Sequence, residues 1–170
     1  MTTTALFVTE LETPQGAIAF ARRGERLVAR GFKDHWPRLK KDLEKRFGAL
    51  VLVPDAKGGN AGRALRSYLG GDLNALDTLE VDTQGTPFQE KVWSRLRKIP
   101  AGATWSYAEL ARSVGKPSAV RAVAGANARN PVSVVIPCHR VIASDGKLSG
   151  YGGGVPRKRW LLTHEGALLA

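Results

Sequence analysis

The side chains best suited to covalent chemistry lie in one short apolar stretch, residues 134–141. Cys138 is the one cysteine of the 170-residue chain, with Pro137 before it and His139 after it. A thiolate is a strong nucleophile and an imidazole titrates near neutral pH, so the pair could carry out nucleophilic attack. A free thiol has a pKa of about 8.5, so this chemistry needs a base or a positive environment to form the thiolate.

The same cysteine also has a simpler interpretation. A lone cysteine among apolar residues is most often a small, unreactive hydrophobe, and a neighbouring histidine is not a specific signal. The apolar residues before Pro137 predict a buried strand, which the proline ends because it has no N–H to donate. Adjacent strand residues face opposite sides, so we expect His139 to act through a bend at Pro137 or through a water molecule.

The elements that must position this stretch are three predicted helices in the second half of the chain. A capping box at residues 86–89 predicts the first, and another at residues 106–109 predicts a short helix that ends before Gly115. A third helix is predicted from about Ser118 to Ala128. Two short helices across a glycine turn are typical of a helix-turn-helix.

The third helix consists almost wholly of small residues, with Arg121 near its start. Helices that read the major groove use long polar side chains, which are scarce here. A helix of small residues can approach a narrow minor groove, where a single long side chain could enter the base stack. Close packing of the alanines inside the protein, with a solvated Arg121, is the alternative, and the residues alone leave both open.

The first half of the chain predicts an α/β unit with a small antiparallel sheet. Three strands are predicted between residues 5 and 32, and a fourth at residues 49–53. Apolar residues at helical spacing predict helices at residues 36–47 and 61–69, the first with a solvated basic face. Residues 77–83 are expected to be extended and to lead out of this unit.

Charge is distributed unevenly between the two predicted domains, 1–83 and 86–170. Of the formal net charge of +11, residues 1–85 contribute +2 from 13 basic and 11 acidic side chains, and residues 86–170 contribute +9 from 13 basic and 4 acidic ones. A one-sided basic field is typical of a protein that binds a polyanion. Solubility alone would explain a basic surface too, but the asymmetry favours nucleic acid.

Composition argues against several other classes of protein. No apolar stretch approaches the roughly 18 residues of a membrane span, and the N-terminus lacks a signal pattern. One cysteine allows no internal disulfide, which suits a reducing cytoplasm, and the three histidines show no zinc-binding spacing. We therefore expect a cytoplasmic protein with no membrane partner, no metal and no cofactor.

Four segments of the second half are Asn130-Pro131, Ile136-Pro137-Cys138-His139-Arg140-Val141, Gly150-Tyr151-Gly152-Gly153-Gly154 and Arg157-Lys158-Arg159-Trp160-Leu161-Leu162. In this order they resemble the O6-alkylguanine-DNA alkyltransferase family, without a gap from about Thr86 to Glu165. The resemblance implies a ribonuclease-H-like first domain and a helical second domain with a helix-turn-helix. It also implies irreversible transfer of an alkyl (methyl) group from O6 of guanine, and from O4 of thymine, to Cys138. The sequence leaves open which alkyl sizes are accepted and how good a substrate O4-alkylthymine is.

The resemblance also implies a role for each side chain of the reaction. His139 would take the thiol proton through a water molecule, and Glu165 would orient His139. Tyr107 would donate a proton toward guanine N3, and Asn130 would bridge the helix pair to the cysteine segment. No second cysteine could resolve the thioether, so the protein should act once per molecule.

The partner implied by the resemblance is duplex DNA carrying an alkylated base, bound by a monomer, with cooperative assembly along DNA left open. The third helix would lie in the minor groove, and Arg121 would fill the place of the flipped base. The residues expected at DNA are Lys116, Ser118, Ala119, Arg121, Ala122, Ala126, Asn127 and Arg129.

The base pocket is expected around the cysteine and a glycine-rich loop. The backbone carbonyls of Cys138 and Val141 would hold the guanine amino group. Ser149 stands where several family members have glycine, so we expect it to narrow the pocket against bulky adducts such as benzyl. The residues expected to line the pocket are Pro137, Val141, Ser149, Gly150, Tyr151 and Gly152.

Three other functions have to be weighed against alkyl transfer. A lesion sensor of the same architecture binds damaged bases without repairing them, but usually has tryptophan in place of the cysteine. A helix-turn-helix regulator would need long polar residues on its second helix. A Cys-His hydrolase would need an oxyanion-hole motif and would leave the basic field unexplained.

Overall fold

The computed structural model describes residues 2–148 and 150–169. The backbone divides into two compact units, Met1–Gln84 and Gly85–Ala170. Among the described residues, no helix combines the length and the apolar character that crossing a membrane requires.

The first unit contains β1 (Thr4–Leu11), β2 (Ile18–Arg23), β3 (Arg26–Phe32), α1 (Trp36–Phe47), β4 (Leu50–Pro54) and α2 (Gly59–Leu69). The four strands form one sheet in the order β3-β2-β1-β4. The β1–β2 and β2–β3 pairs are antiparallel, but β4 runs parallel to β1. The sheet is therefore mixed, which corrects the expectation of an antiparallel sheet. The reason is that α1 carries the chain from β3 back across the sheet, and a helical crossover delivers the next strand in parallel.

The core of the first unit lies between the sheet and α1. Leu43 of α1 is fully buried with Leu6 of β1 and Val28 of β3, as the helical spacing of apolar residues predicted. The segment predicted as extended at residues 77–83 is mostly irregular. Its one β contact is an isolated bridge between Leu27 and Val81.

The second unit contains α3 (Pro87–Leu96), β5 (Trp105–Ser106), α4 (Tyr107–Ser113), α5 (Val120–Ala128), a 3-10 turn (Cys138–Arg140), β6 (Val141–Ile142) and α6 (Val155–His164). The capping box of α3 is confirmed: Thr86 Oγ1 accepts from Gln89 N at 3.2 Å, and Gln89 Oε1 accepts from Thr86 N at 3.0 Å. The two strands of this unit pair in parallel, with Trp105 opposite Val141.

Helices α4 and α5 are joined by a turn at Gly115, whose φ of +77° is a conformation that glycine adopts without strain. Helix α5 begins at Val120, two residues later than predicted, because Ala119 has a non-helical φ of −98° and ψ of 38°. The indole N–H of Trp93 in α3 donates to the carbonyl of Ala126 at 2.8 Å. This buried bond fixes α5 against α3.

The apolar segment before the cysteine is a tight turn, not the predicted strand. Val134 has a φ of +72°, which no extended strand allows. Short-range hydrogen bonds take the place of a ladder, with Ile136 N donating to Val132 O at 3.0 Å and Cys138 N to Ile136 O at 2.8 Å. Strand pairing resumes only at Val141, after the 3-10 turn. Hydrophobicity alone could not separate these two forms, because both bury the same side chains.

Candidate active site

Cys138 is the first residue of the 3-10 turn and is 7% exposed. Its carbonyl accepts the Val141 N–H, which closes the turn. Asn127 Nδ2 lies 3.5 Å from the same carbonyl, at the long end of hydrogen-bond distance. The thiol is therefore held in a rigid turn at the edge of the interior, with a small part of the residue still accessible.

The imidazole of His139 is completely buried against the carboxylate of Glu165. Nε2 of His139 lies 2.9 Å from Oε2 of Glu165, and both side chains are 0% exposed. Glu165 is the residue that caps the C-terminus of α6, so the helix brings it to a turn 26 residues earlier in the chain. When Nε2 carries the proton of the neutral ring, Nδ1 is the nitrogen that can accept another.

Arg140 fixes the other side of the Glu165 carboxylate. Its Nε donates to Oε1 and its NH2 to Oε2, each at 2.9 Å, while NH1 donates to the carbonyl of Ile99 at 2.7 Å. This two-point contact is the strongest geometry for an arginine and a carboxylate. The sequence offered Arg140 only as a positive neighbour of the thiol; its contact with Glu165, 25 residues away, exists only in the fold.

The ionisation of Glu165 follows from these contacts. Burial by itself would raise the pKa of Glu165, but the hydrogen bonds from His139 and Arg140, together with their charges, outweigh it and hold the pKa well below its usual range. Glu165 is therefore an anion at every pH at which the protein would work. It can hold the His139 ring in one orientation and stabilise the imidazolium that forms when the ring takes a proton.

Tyr107 begins α4, where Ser106 Oγ caps the helix by accepting from Glu109 N at 3.0 Å. Burial raises the pKa of Tyr107, and the charge of Cys138 acts in the same direction. The phenol therefore keeps its proton at neutral pH and can serve as a donor. A methyl group added to Gly150 would lie 3.7 Å from the Tyr107 hydroxyl, so the glycine-rich loop passes close to this donor.

Asn130 links the end of α5 to the segment that leads to the cysteine. Its Nδ2 donates to the carbonyl of Ile136 at 2.6 Å, and its Oδ1 accepts from Val132 N at 2.9 Å. One amide side chain thus satisfies backbone groups on both sides of the tight turn. The position of Cys138 is in this way coupled to α5.

Lys158 of α6 is a buried residue that sequence reasoning missed. It is 0% exposed, and its ammonium donates to the carbonyl of Val141 at 2.6 Å. Burial lowers the pKa of Lys158, whereas the charge of Cys138 opposes that effect. The sequence held a signal, because Lys158 shares one helical face with the buried residues Leu161, Leu162 and Glu165.

The predicted pocket residues differ in their exposure and in their existing hydrogen bonds. The Val141 carbonyl already accepts from Lys158, which leaves one lone pair for a ligand. Pro137 is buried, Tyr151 is half-buried, and Gly150 and Gly152 are exposed. Ser149, on which the expected rejection of bulky adducts depends, lies outside the described residues.

The residues expected at DNA divide into an exposed and an inner set. Ala126 and Asn127 are each 4% exposed, because positions 123, 126 and 127 form the face of α5 that packs inside the unit. This placement leaves little of either side chain accessible to DNA, so their contact with DNA stays a prediction. Ala119 is half-buried, and the remaining five are exposed: Lys116, Ser118, Arg121, Ala122 and Arg129.

Comparisons with known proteins identify relatives of this chain. The family profile described as "6-O-methylguanine DNA methyltransferase, DNA binding domain" matches residues 87–167. A methylated-DNA–protein-cysteine methyltransferase of Shigella flexneri is 53% identical over 128 residues, which cover 75% of each chain.

Two crystal structures from Mycobacterium tuberculosis each match over 95% of this chain and 93% of their own. The O6-methylguanine methyltransferase has a TM-score of 0.78 at 35% identity. The protein named OGT, in complex with DNA, has a TM-score of 0.79 at 37% identity. Identity and coverage at this level, over both units, establish common descent. The chain therefore belongs to the methylated-DNA–protein-cysteine methyltransferase family.

Proposed function

We propose that this protein repairs alkylated DNA by transferring the alkyl group from O6 of guanine to its own Cys138. The observation that carries the proposal is the buried His139–Glu165 pair, joined at 2.9 Å directly beside the one cysteine. A nucleophile, a base and a group that orients the base are the three parts that thiol activation requires. Membership of the methyltransferase family supports the same reaction.

The chemistry assigns one task to each group. The thiol proton passes to His139, through a bridging water, and Glu165 stabilises the resulting imidazolium. The sulfur then forms a bond to the alkyl carbon while the bond from that carbon to O6 breaks, and the electron pair stays with the guanine. Tyr107 donates a proton toward guanine N3 as this charge develops, which lowers the barrier by neutralising the leaving group.

The reaction consumes the protein. The product is a thioether, and the sequence contains no second thiol that could displace it. Each chain would therefore remove one alkyl group, and the free thiol has to be kept reduced until then, which suits a cytoplasmic protein. The resemblance extends the reaction to O4 of thymine.

Access to the base requires that the nucleotide leave the stack, because O6 cannot be attacked inside the duplex. Helices α4 and α5 would act as a helix-turn-helix that presents α5 to the minor groove. The exposed Arg121 would fill the gap left by the flipped base, with Ser118, Ala119 and Ala122 as the close-approach surface. Lys116 and Arg129 would contact phosphates.

The two units have separate tasks in this proposal. The unit from Gly85 onward, with a net charge of +9 over residues 86–170, would bind DNA and carry out the transfer. The first unit would be a structural domain, for which the family resemblance suggests the ribonuclease-H-like label. The complex of the M. tuberculosis relative with DNA supports DNA as the partner.

The test is to incubate the protein with duplex DNA that carries a labelled methyl group on O6 of guanine. We expect one label per chain, located on Cys138 by peptide mass spectrometry. Cys138→Ser should accept no label but bind the duplex with unchanged affinity, because an oxygen replaces one buried sulfur. A label on any other residue, repeated turnover, or binding without transfer by the wild-type protein would contradict the proposal, the last result favouring a lesion sensor.

A further inference from the structure

Lys158 is a buried cation to which the proposed reaction gives no task. It is 0% exposed, although lysine is almost never fully buried unless its charge is compensated. Its ammonium donates to the carbonyl of Val141 at 2.6 Å. A neutral side chain could fill the same space at a lower desolvation cost, so the charge itself calls for an explanation.

The backbone connects Lys158 to the cysteine. The Val141 N–H donates to the carbonyl of Cys138, and the Val141 carbonyl accepts from Lys158. The peptide units of Val141 are thus held on both sides, with the reactive residue at one end and the ammonium at the other. Helix α6 delivers Lys158 and Glu165 from one face, so a single element supplies a cation beside the turn and an anion beside His139.

A negative charge on Cys138 would act on Lys158, whose ammonium is held at Val141, three residues beyond the cysteine. Burial lowers the pKa of Lys158, and a negative sulfur opposes that effect. Such coupling is reciprocal, because the energy by which a thiolate favours the ammonium is the energy by which the ammonium favours the thiolate. The other ionisable groups around the thiol are His139 and Glu165, whose buried contact orients the base, Arg140, which binds Glu165, and Tyr107, which keeps its proton.

We propose that Lys158 is a positioning residue that stabilises the Cys138 thiolate electrostatically and anchors the Val141 carbonyl that bounds the base site. Lys158 keeps its proton throughout, and the thiol proton still goes to His139. The two groups therefore have separate roles: His139 accepts the proton, and Lys158 compensates the negative charge that remains on the sulfur. The role in repair rests on the proposed function, but the effect on the thiol does not.

The first test measures the rate at which iodoacetamide alkylates Cys138 as a function of pH, without DNA. Lys158→Met should raise the apparent pKa of the thiol by about one unit, which means roughly tenfold slower alkylation on the acid side of the profile. Lys158→Gln should behave like Lys158→Met, because it keeps a donor for Val141 but has no charge. The matched control is Arg159→Met, which removes one exposed cation from the same helix and should leave the profile unchanged.

Two outcomes of this test overturn the proposal. If Lys158→Gln reacts like the wild type, only the hydrogen bond matters. If Arg159→Met shifts the profile as far as Lys158→Met, the effect is one of net charge and not of position. Methyl transfer from DNA, measured on the same variants, separates this inference from the proposed function: a wild-type protein that transfers no methyl group refutes the function, whereas an unchanged thiol titration in the Lys158 variants refutes the inference.

A second measurement needs no variant and covers the case in which Lys158→Met fails to fold. The Nζ of Lys158 is followed by NMR through a pH titration, before and after iodoacetamide converts Cys138 to a neutral thioether. Loss of the negative partner should lower the pKa of Lys158. An identical titration in both states would overturn the proposal.

Discussion

At the scale of single residues, the site depends on compensation of buried charge. Glu165 has a fully buried carboxylate that accepts hydrogen bonds from His139 and Arg140. Removal of one partner from such a group costs more than the pair contributes, because an uncompensated charge stays behind. The three residues therefore contribute to folding, and the proposed reaction uses the same group.

The ionisation of Glu165 predicts how stability depends on pH. Its pKa is lower in the folded protein than the value of about 4.3 for an unfolded glutamate. The unfolded chain therefore binds the proton first as the pH falls. The stability that the Glu165 carboxylate contributes is complete above about pH 5 and is lost progressively below it. Each unit by which the pKa of Glu165 differs between the two states corresponds to about 1.4 kcal/mol of folding free energy.

The measurement is the free energy of unfolding in urea between pH 3 and pH 7, for the wild type and for Glu165→Gln. The variant should be less stable at pH 7 and should lose less stability on acidification. Asp145→Asn, at an exposed turn, is the matched control and should follow the wild type. Equal pH dependence in Glu165→Gln and the wild type would show that the carboxylate is not the cause.

At the scale of elements, α5 has one face packed inside the unit and one face exposed. Its inner face packs on α3 through the Trp93–Ala126 hydrogen bond and places Asn127 near Cys138. Its outer face carries the exposed residues Arg121 and Ala122. We expect this inner contact to couple the position of bound DNA to the cysteine.

Arg121→Ala tests the opening of the base stack separately from the chemical step. We expect methyl transfer from duplex DNA to slow at least about tenfold, equivalent to about 1.4 kcal/mol, because nothing fills the gap in the base stack. Transfer from the free O6-methylguanine base should not change, since no stack has to be opened. Rates of single-turnover transfer measure both.

The control for this variant is Arg112→Ala, which removes an exposed cation from α4. Arg121→Ala should also keep the thermal stability of the wild type, because the side chain is exposed. Equal slowing on duplex DNA and on the free base would place Arg121 in the chemistry or in folding and would contradict the base-stack role.

At the scale of the whole molecule, we expect the charge distribution to govern how the protein finds DNA. The excess of +9 in residues 86–170 favours any polyanion, independent of sequence, and a lesion can occur in any sequence. The small residues of α5 offer few groups that could read base edges, which fits this need. Binding should therefore depend strongly on salt and weakly on sequence.

The dependence on salt gives a count of phosphate contacts. The slope of log K against log salt concentration should become less steep by about 0.9 in each of Lys116→Ala and Arg129→Ala, because each variant gives up one phosphate. Fluorescence anisotropy of a labelled duplex, titrated with protein at about 50 to 200 mM salt, would measure the slope. Lys41→Ala, an exposed cation in the first unit, is the control and should keep the wild-type slope. Unchanged slopes in all three variants would remove Lys116 and Arg129 from the DNA surface.

The sequence by itself determined the features that depend on neighbours along the chain. The capping box at Thr86 and the full extent of α1 were predicted at the right residues, because a cap and an apolar stripe act within one or two turns of a helix. The motif around Cys138 and the match that extends to Glu165 were enough to indicate the family. Charge placement along the chain indicated a polyanionic partner.

Only the tertiary structure decided the features that depend on residues far apart in sequence. The parallel pairing of β4, the turn at Val134 and the burial of Asn127 follow from packing against distant elements. Arg140 and Lys158 acquired their contacts because α6 folds back onto the 3-10 turn, 17 to 25 residues away. A local pattern specifies which side chains are apolar or charged, but desolvation and charge pairing depend on what the fold places beside them.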